Sequence, residues 1–180
     1  LFKRVENTNI DFIQNFDKAL DEKLCKKLIN KFEEMSKKGD TSPGAIGSDR
    51  VIDLKKKKSM DVNLAEDYDD EINELYKEIG QIIIQCVYSY FINVGFFGIN
   101  FVGMRGRHVK KYVSEELIPK FPETIALSAT RLRKYNKNTG GYFIPHYDNE
   151  GKLSRRVVAV IIYLNDVKYG GETVFPVLKK

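Results

Sequence analysis

The spacing of apolar residues predicts two amphipathic helices in the first half of the chain. The first helix follows Asp21, whose carboxylate can accept hydrogen bonds from the free amides of a first helical turn. The second begins in the acidic stretch 66–71, where the helix macrodipole favours negative charge, and continues to about Phe91. The apolar positions of the first helix are Leu24, Leu28, Ile29, Phe32 and Met35. Those of the second are Ile72, Leu75, Ile79, Ile82, Ile83, Cys86 and Tyr90. Both stripes have the helical period and are expected to pack as core.

From Thr124 onward the pattern changes to the alternation of β-strands. Strands are expected over 125–135, 141–148, 155–165 and 171–176. Residues 136–141 and the pair Gly170-Gly171 are rich in residue types that form turns or bulges. Weaker signals predict strands at 10–16 and within 54–64, and loops over 39–47 and 95–122. Short strands separated by turns predict a sandwich or jelly roll, so the expected fold class is α+β.

Composition is consistent with one folded domain over residues 1–180. Of the residues, 42% are hydrophobic and 31% charged, which is typical of soluble globular proteins. No apolar run is long enough to span a bilayer, so a membrane is not an expected partner. Cys25 and Cys86 fall within the helical patterns and are predicted to be free thiols, which fits an intracellular, cytoplasmic location.

The net charge of +5 raises the question of a nucleic-acid partner. Much of the excess lies in residues 55–58 and 105–111. We interpret both segments as solvated loops, so nucleic acid is not the expected partner. His108, one of only two histidines, lies in the second segment and is predicted to have no role in a site.

The run His146-Tyr147-Asp148 carries the strongest chemical signal. Alternate side chains of a strand point to the same face, so His146 and Asp148 would lie together. One imidazole and one carboxylate are two of the three ligands in a 2-His-1-carboxylate Fe(II) site. A His-x-Asp pair alone is a weak signal, because most such pairs are surface ion pairs.

The residues that follow make the signal more specific. An Arg-led apolar strand, 155–165, ends in Tyr163-Leu164-Asn165, and Gly170-Gly171-Glu172-Thr173 comes next. In this order of motifs the chain resembles the Fe(II)- and 2-oxoglutarate-dependent dioxygenases, specifically the prolyl 4-hydroxylase-like branch. The close resemblance covers about residues 130–176. It implies a double-stranded β-helix, with residues 1–122 as N-terminal helical support and loops and 123–180 as the first half of that β-helix.

The resemblance also implies a site and a reaction. His146 and Asp148 would be the metal ligands, and Tyr135, Tyr163 and Thr173 would contact the cosubstrate 2-oxoglutarate. The implied reaction converts 2-oxoglutarate and molecular oxygen to succinate and carbon dioxide while hydroxylating a C–H bond. The implied substrate is a prolyl residue of a peptide or protein, and ascorbate is a candidate reductant.

The chain departs from the family pattern after Thr173. The family has a second histidine well downstream of His-x-Asp and a basic residue beyond it, whereas no histidine follows His146 here. The resemblance therefore predicts that the 180 residues are part of a longer enzyme. The alternatives are a non-catalytic binding module that retains the fold, and the same chemistry on a nucleic acid or another substrate.

Overall fold

The computed structural model describes residues 12–64, 69–94, 101–102, 108–109, 127, 130–149 and 151–176. This part of the chain contains two helices and seven short strands. The helices are α1 (Glu22–Lys38) and α2 (Asp70–Asn93). The strands are β1 (Ser42–Pro43), β2 (Lys57–Lys58), β3 (Met60–Asn63), β4 (Phe101–Val102), β5 (His108–Val109), β6 (Arg131–Lys134) and β7 (Gly141–Tyr142). A 3-10 turn spans Gly151–Leu153. Neither α1 nor α2 has the length and apolar character needed to cross a membrane.

Contacts divide the chain into two units. The first consists of Leu1–Ala19 and Glu78–Ser128, and the second of Leu20–Lys77 and Ala129–Lys180. In the first unit, Tyr90 donates a hydrogen bond to the carbonyl of Phe12, and β4 pairs antiparallel with β5. All five residues of the predicted site belong to the second unit.

Helix α1 begins and ends as its sequence predicts. Asp21 Oδ1 accepts a hydrogen bond of 2.7 Å from the Leu24 amide, and Gly39 ends the helix in the left-handed region at φ 85°. The predicted apolar face is buried except for Ile29, which is half-buried. Lys31 is buried as well, because its ammonium pairs with Glu71 at 2.6 Å and with Asp69 at 3.2 Å.

Helix α2 starts at Asp70 because Asp69 caps it, accepting a 3.0 Å hydrogen bond from the Ile72 amide. Ile72, Leu75, Ile79 and Ile83 are buried as predicted, whereas Ile82 is half-buried. Farther along, Val87 and Phe91 are buried, whereas the predicted Cys86 and Tyr90 are half-buried. The buried face is thus displaced by one residue in the last turns. Cys25 and Cys86 are free thiols, and burial raises the pKa of Cys86.

The second unit contains a three-stranded antiparallel sheet in the order β1-β3-β6. Val62 of β3 is opposite Leu132 of β6, and both are buried. Strand β2 pairs separately with β7, so that Lys57 is opposite Tyr142. The prediction of a strand within 54–64 was thus correct in kind, although the segment forms two strands with different partners.

Several predicted elements differ from the structure. The loop predicted over 39–47 contains β1, because Ser42 and Pro43 pair with β3. Residues 12–16 of the predicted first strand form no strand, and residues 10–11 lie outside the described part. His108, predicted in a loop, belongs to β5. The remainder of 95–122 lies outside the described residues.

The strands predicted in the second half are shorter than expected or unpaired. The turn at 136–141 forms as predicted, with Asn138 at φ 64° and the Gly140 amide donating to the Asn136 carbonyl. Strand β7 then covers only two residues, and 151–176 contain no paired strand. Gly170 and Gly171 both have positive φ, as a tight turn requires. The double-stranded β-helix remains a prediction from the motif order.

Candidate metal and cosubstrate site

The His146-Tyr147-Asp148 segment lies just past β7 rather than within a strand. The Phe143 amide still donates to the Lys56 carbonyl at 2.8 Å, which extends the pairing by one residue. Residues 54–56 then form a turn, so the partner strand leads away. Pro145 has no amide with which to continue the ladder. The predicted strand geometry around His146 was therefore wrong.

The two predicted metal ligands nevertheless lie side by side. Nε2 of His146 and Oδ1 of Asp148 are 3.7 Å apart. Both side chains are partly open to solvent, with 39% of His146 and 51% of Asp148 exposed. A ligand entering from solvent could reach both atoms.

A backbone contact favours one tautomer of His146. Nδ1 lies 3.2 Å from the carbonyl oxygen of Ile144, and only a protonated nitrogen can donate to that oxygen. In a neutral ring the Nε2 lone pair then faces the Asp148 carboxylate. Two acceptors at this distance repel each other unless a proton or a cation lies between them. Metal-binding histidines show the same arrangement, with the distal nitrogen donating to a carbonyl.

An aromatic stack fixes the orientation of the imidazole. The rings of His146 and Tyr142 are stacked, with centroids 4.0 Å apart and planes inclined by 21°. The ammonium of Lys57 lies over the Tyr142 ring, 5.5 Å from its centroid, in a cation–π contact. The imidazole of His146 therefore packs on Tyr142, and Tyr142 in turn contacts Lys57.

Lys57 in turn belongs to a buried polar network centred on Asp61. The Lys57 ammonium donates to the Ala45 carbonyl at 3.0 Å and to Asp61 at 3.4 Å. Ser59 donates to Asp61 at 2.8 Å. The Arg133 guanidinium donates through Nε and Nη2, each 3.0 Å from a carboxylate oxygen of Asp61. Such a fork is the strongest form of carboxylate recognition.

The pKa shifts in this network follow from burial and charge. Burial alone would raise the pKa of Asp61, but the hydrogen bonds and charge of Arg133 outweigh it, and the pKa lies below its ordinary value. Burial is the largest cause that lowers the pKa of Lys57, followed by the charge of Arg133. Burial raises the pKa of Tyr142, and the nearby charge of Asp148 adds to this effect.

The predicted cosubstrate residues form a second contact. The hydroxyls of Tyr163 and Thr173 are hydrogen-bonded at 2.5 Å, although ten residues separate them. Tyr135 is hydrogen-bonded to Arg133, and burial is the main cause that raises its pKa. Tyr135 is also close enough to Tyr142 to affect its pKa. Four of the five predicted residues thus form two pairs, His146–Asp148 and Tyr163–Thr173. Tyr135 lies beside Arg133 of the buried network.

Sequence reasoning missed the buried network. It interpreted residues 55–58 as a solvated loop, which is wrong for Lys57, since only 1% of that residue is exposed. The signal was the spacing of Lys57, Ser59 and Asp61, which recurs every two residues as in a strand. Because these residues are polar, a search for apolar alternation passes over them.

The residues at His146 suit part of a metal site. Nitrogen and oxygen ligands lie about 2.1 Å from a first-row metal, so two donors on one ion are about 3.0 Å apart at a right angle and about 3.4 Å apart at the tetrahedral angle. The 3.7 Å between His146 and Asp148 is slightly longer, and both side chains are exposed enough to move closer around an ion. Within the described residues, no group of three His, Cys, Asp or Glu side chains comes together. The described residues therefore place two metal-binding atoms there, Nε2 of His146 and Oδ1 of Asp148.

No family model, curated protein or solved structure matches the chain.

Proposed function

We propose that the protein is an Fe(II)- and 2-oxoglutarate-dependent dioxygenase that hydroxylates a prolyl residue in a peptide or protein. The observation that carries the proposal is the pair His146–Asp148, with Nε2 and Oδ1 3.7 Å apart and Nδ1 held by the Ile144 carbonyl. The order of motifs around this pair, from Tyr135 to Thr173, supplies the reaction class. When bound, Fe(II) and 2-oxoglutarate supply the oxidising chemistry, and succinate, carbon dioxide and the hydroxylated product result.

In this proposal the side chains bind the metal and 2-oxoglutarate and hold them in a defined orientation. His146 offers the Nε2 lone pair because its other nitrogen is held as a donor, and the Tyr142 stack limits rotation of the ring. Asp148 supplies a carboxylate oxygen beside it. Tyr163 and Thr173 offer adjacent hydroxyls, and whichever accepts in their mutual hydrogen bond keeps an O–H that can donate to a carboxylate of 2-oxoglutarate. Tyr135 offers a further hydroxyl beside Arg133.

The direct test is formation of succinate by the purified protein supplied with Fe(II), ascorbate, 2-oxoglutarate and a proline-rich peptide. We expect succinate to form only when iron is present, and to be lost in His146→Ala and Asp148→Ala. The matched control is His108→Ala, which removes the only other histidine and should leave succinate formation unchanged. Equal loss in all three variants would contradict the assignment of the ligands.

The cosubstrate residues have a separate test. Tyr163→Phe keeps the ring and removes the hydroxyl, so we expect a higher KM for 2-oxoglutarate with little change in kcat. A hydrogen bond to a charged group corresponds to roughly a tenfold effect on binding. A fall in kcat with unchanged KM would argue against contact between Tyr163 and the cosubstrate.

The alternatives make different predictions in the same assay. The same chemistry on nucleic acid predicts that an oligonucleotide replaces the proline-rich peptide as the stimulating substrate. A non-catalytic binding module predicts no succinate with either substrate and no stabilisation by a divalent metal. The outcome thus separates a wrong substrate from a wrong reaction class.

A further inference from the structure

A small polar cavity lies in the second unit, at the end of the sheet where β1, β3 and β6 adjoin the turn at residues 47–50. Its volume is about 30 Å³, which is room for an oxygen-sized group. Its polar lining residues are Ser42, Arg50, Asp61, Asn63 and Arg131. Since Arg50 and Arg131 are both exposed, the cavity can be reached from solvent.

Positive charge is in excess around this cavity. Arg50 and Arg131 both line the cavity, and after burial the charge of Arg50 is the next cause that lowers the pKa of Arg131. Arg133 and Arg156 act in the same direction. Asp61 is the carboxylate in the lining, and it already accepts two hydrogen bonds from Arg133 and one from Ser59.

The guanidiniums of Arg50 and Arg131 have N–H groups available to bind a ligand. In the described part of the chain, neither guanidinium lies within ion-pair distance of a carboxylate. Two like charges that line one cavity repel each other, and a bound anion would turn this repulsion into attraction. The planar fork of a guanidinium fits carboxylate and phosphate oxygens in particular.

The backbone at Arg50 adds a second observation. Residues 47–50 form a turn closed by the Ile46–Val51 bridge, and Arg50 adopts φ 55°. Turns favour glycine or asparagine at such a left-handed position, because a larger side chain is strained there. Arg50 therefore places a long side chain at a position where glycine would be less strained.

We propose that the cavity lined by Arg50 and Arg131 binds an oxyanion, either a phosphate or a carboxylate group, carried by a small ligand. The two guanidiniums would hold the anion, and Ser42 could donate a further hydrogen bond. This site uses none of the residues assigned to iron or 2-oxoglutarate. Its existence does not depend on the proposed dioxygenase function.

The test is titration of the metal-free protein with inorganic phosphate and, separately, with acetate, followed by NMR shifts of the backbone amides. We expect saturable binding that shifts amides of β1, β3 and the turn at 47–50. The decisive variant is Arg50→Gly, which removes the guanidinium and relieves the strained φ, so that the protein should fold at least as well. It should weaken binding about tenfold, as should Arg131→Ala.

The control variant is Lys37→Ala, which removes an exposed positive charge from α1 and should leave the affinity unchanged. Tighter binding of phosphate would identify a phosphoryl ligand, and tighter binding of acetate a carboxylate ligand. Affinity unaltered in a folded Arg50→Gly, or weakened equally by Lys37→Ala, would overturn the proposal. Because iron and 2-oxoglutarate are omitted, failure here leaves the dioxygenase test untouched, and the reverse also holds.

Discussion

Asp61 connects the two polar sites of the second unit. Its carboxylate lines the cavity of Arg50 and Arg131 and also accepts a hydrogen bond from Lys57. The Lys57 ammonium lies over the Tyr142 ring, which stacks on His146. A buried carboxylate surrounded by donors is stabilised only while its partners stay in place. Asp61 thus lines the cavity directly and is linked to His146 only through Lys57 and Tyr142.

Replacing Asp61 with alanine should be strongly destabilising. Lys57 is 1% exposed and would keep a buried ammonium without its carboxylate partner. Removing one partner from a buried ion pair costs about 3–5 kcal/mol. The measurement is the free energy of unfolding in urea.

The matched control is Asp49→Ala. Asp49 also pairs with a lysine, Lys152, at 3.5 Å, but both side chains are exposed. An exposed pair contributes about 0–1 kcal/mol, so this variant should unfold nearly as the wild type does. Similar losses in the two variants would mean that burial of Asp61 does not determine its contribution.

The pKa of Asp61 also predicts how stability depends on pH. The folded state lowers this pKa below the ordinary value of 3.8. Between the two values the unfolded chain binds more protons, so stability falls as the pH drops through this window. The contribution is complete above 3.8 and absent below the folded pKa.

The comparison that isolates this effect is wild type against Asp61→Asn. The variant cannot ionise at this position, so its disadvantage in the free energy of unfolding should shrink as the pH falls from neutral to below 3.8. Parallel curves over that range would show that Asp61 is not the titrating group.

At the scale of elements, Gly44, which follows β1, packs closely against the segment between β2 and β3. The Gly44 amide donates to the Ser59 carbonyl at 2.9 Å. A Cβ at position 44 would collide with the Ser59 hydroxyl and lie 2.7 Å from Lys57 Cε. The absence of a side chain at Gly44 therefore allows Lys57 to be buried against this loop.

Gly44→Ala should accordingly displace Lys57 from the network. Overpacking of a buried site costs about 1–3 kcal/mol. Gly47→Ala is a useful comparison, because nothing lies within 4 Å of a Cβ there and only its positive φ is strained. We expect Gly44→Ala, but not Gly47→Ala, to change the NMR shifts of the Tyr142 and His146 rings. Unchanged ring shifts in a folded Gly44→Ala would contradict the packing role.

The helices were the most predictable elements, and the reason is local. Asp21, Gly39 and the apolar spacing of α1 act within a few residues of one another, so the sequence alone indicates where that helix begins and ends. The strands depend on partners far along the chain. Lys57 is opposite Tyr142, a pairing over more than eighty residues that no local pattern contains.

The candidate site likewise has a part that the sequence predicts and a part that it does not. The proximity of His146 and Asp148 was predictable, because two residues that close in sequence can approach each other in several backbone conformations. The motif order predicted that Tyr163 and Thr173 contact the cosubstrate, and their direct hydrogen bond was not predicted. The support from Lys57 and Asp61 was not predictable, since it requires β2 and β3 to meet β6 and β7.

At the scale of the whole molecule, metal binding should stabilise the protein through His146 and Asp148. A ligand that binds only the folded state stabilises it by mass action, by about 2.7 kcal/mol at one hundred times its Kd. We therefore expect the Tm to rise with the concentration of Co(II), a stand-in for Fe(II) that does not oxidise readily in air. The rise should disappear in His146→Ala and Asp148→Ala and persist in His108→Ala.

Two further variants separate metal binding from general charge effects. Tyr142→Ala removes the stacked ring but neither ligand atom, so it should reduce the Tm rise with Co(II) without abolishing it, because the imidazole then rotates more freely. Arg50→Gly should leave the rise unchanged, because Arg50 lines the separate cavity. If Co(II) raised the Tm of His146→Ala as much as that of the wild type, the metal would bind elsewhere. That result would contradict the assignment of His146 as a metal ligand.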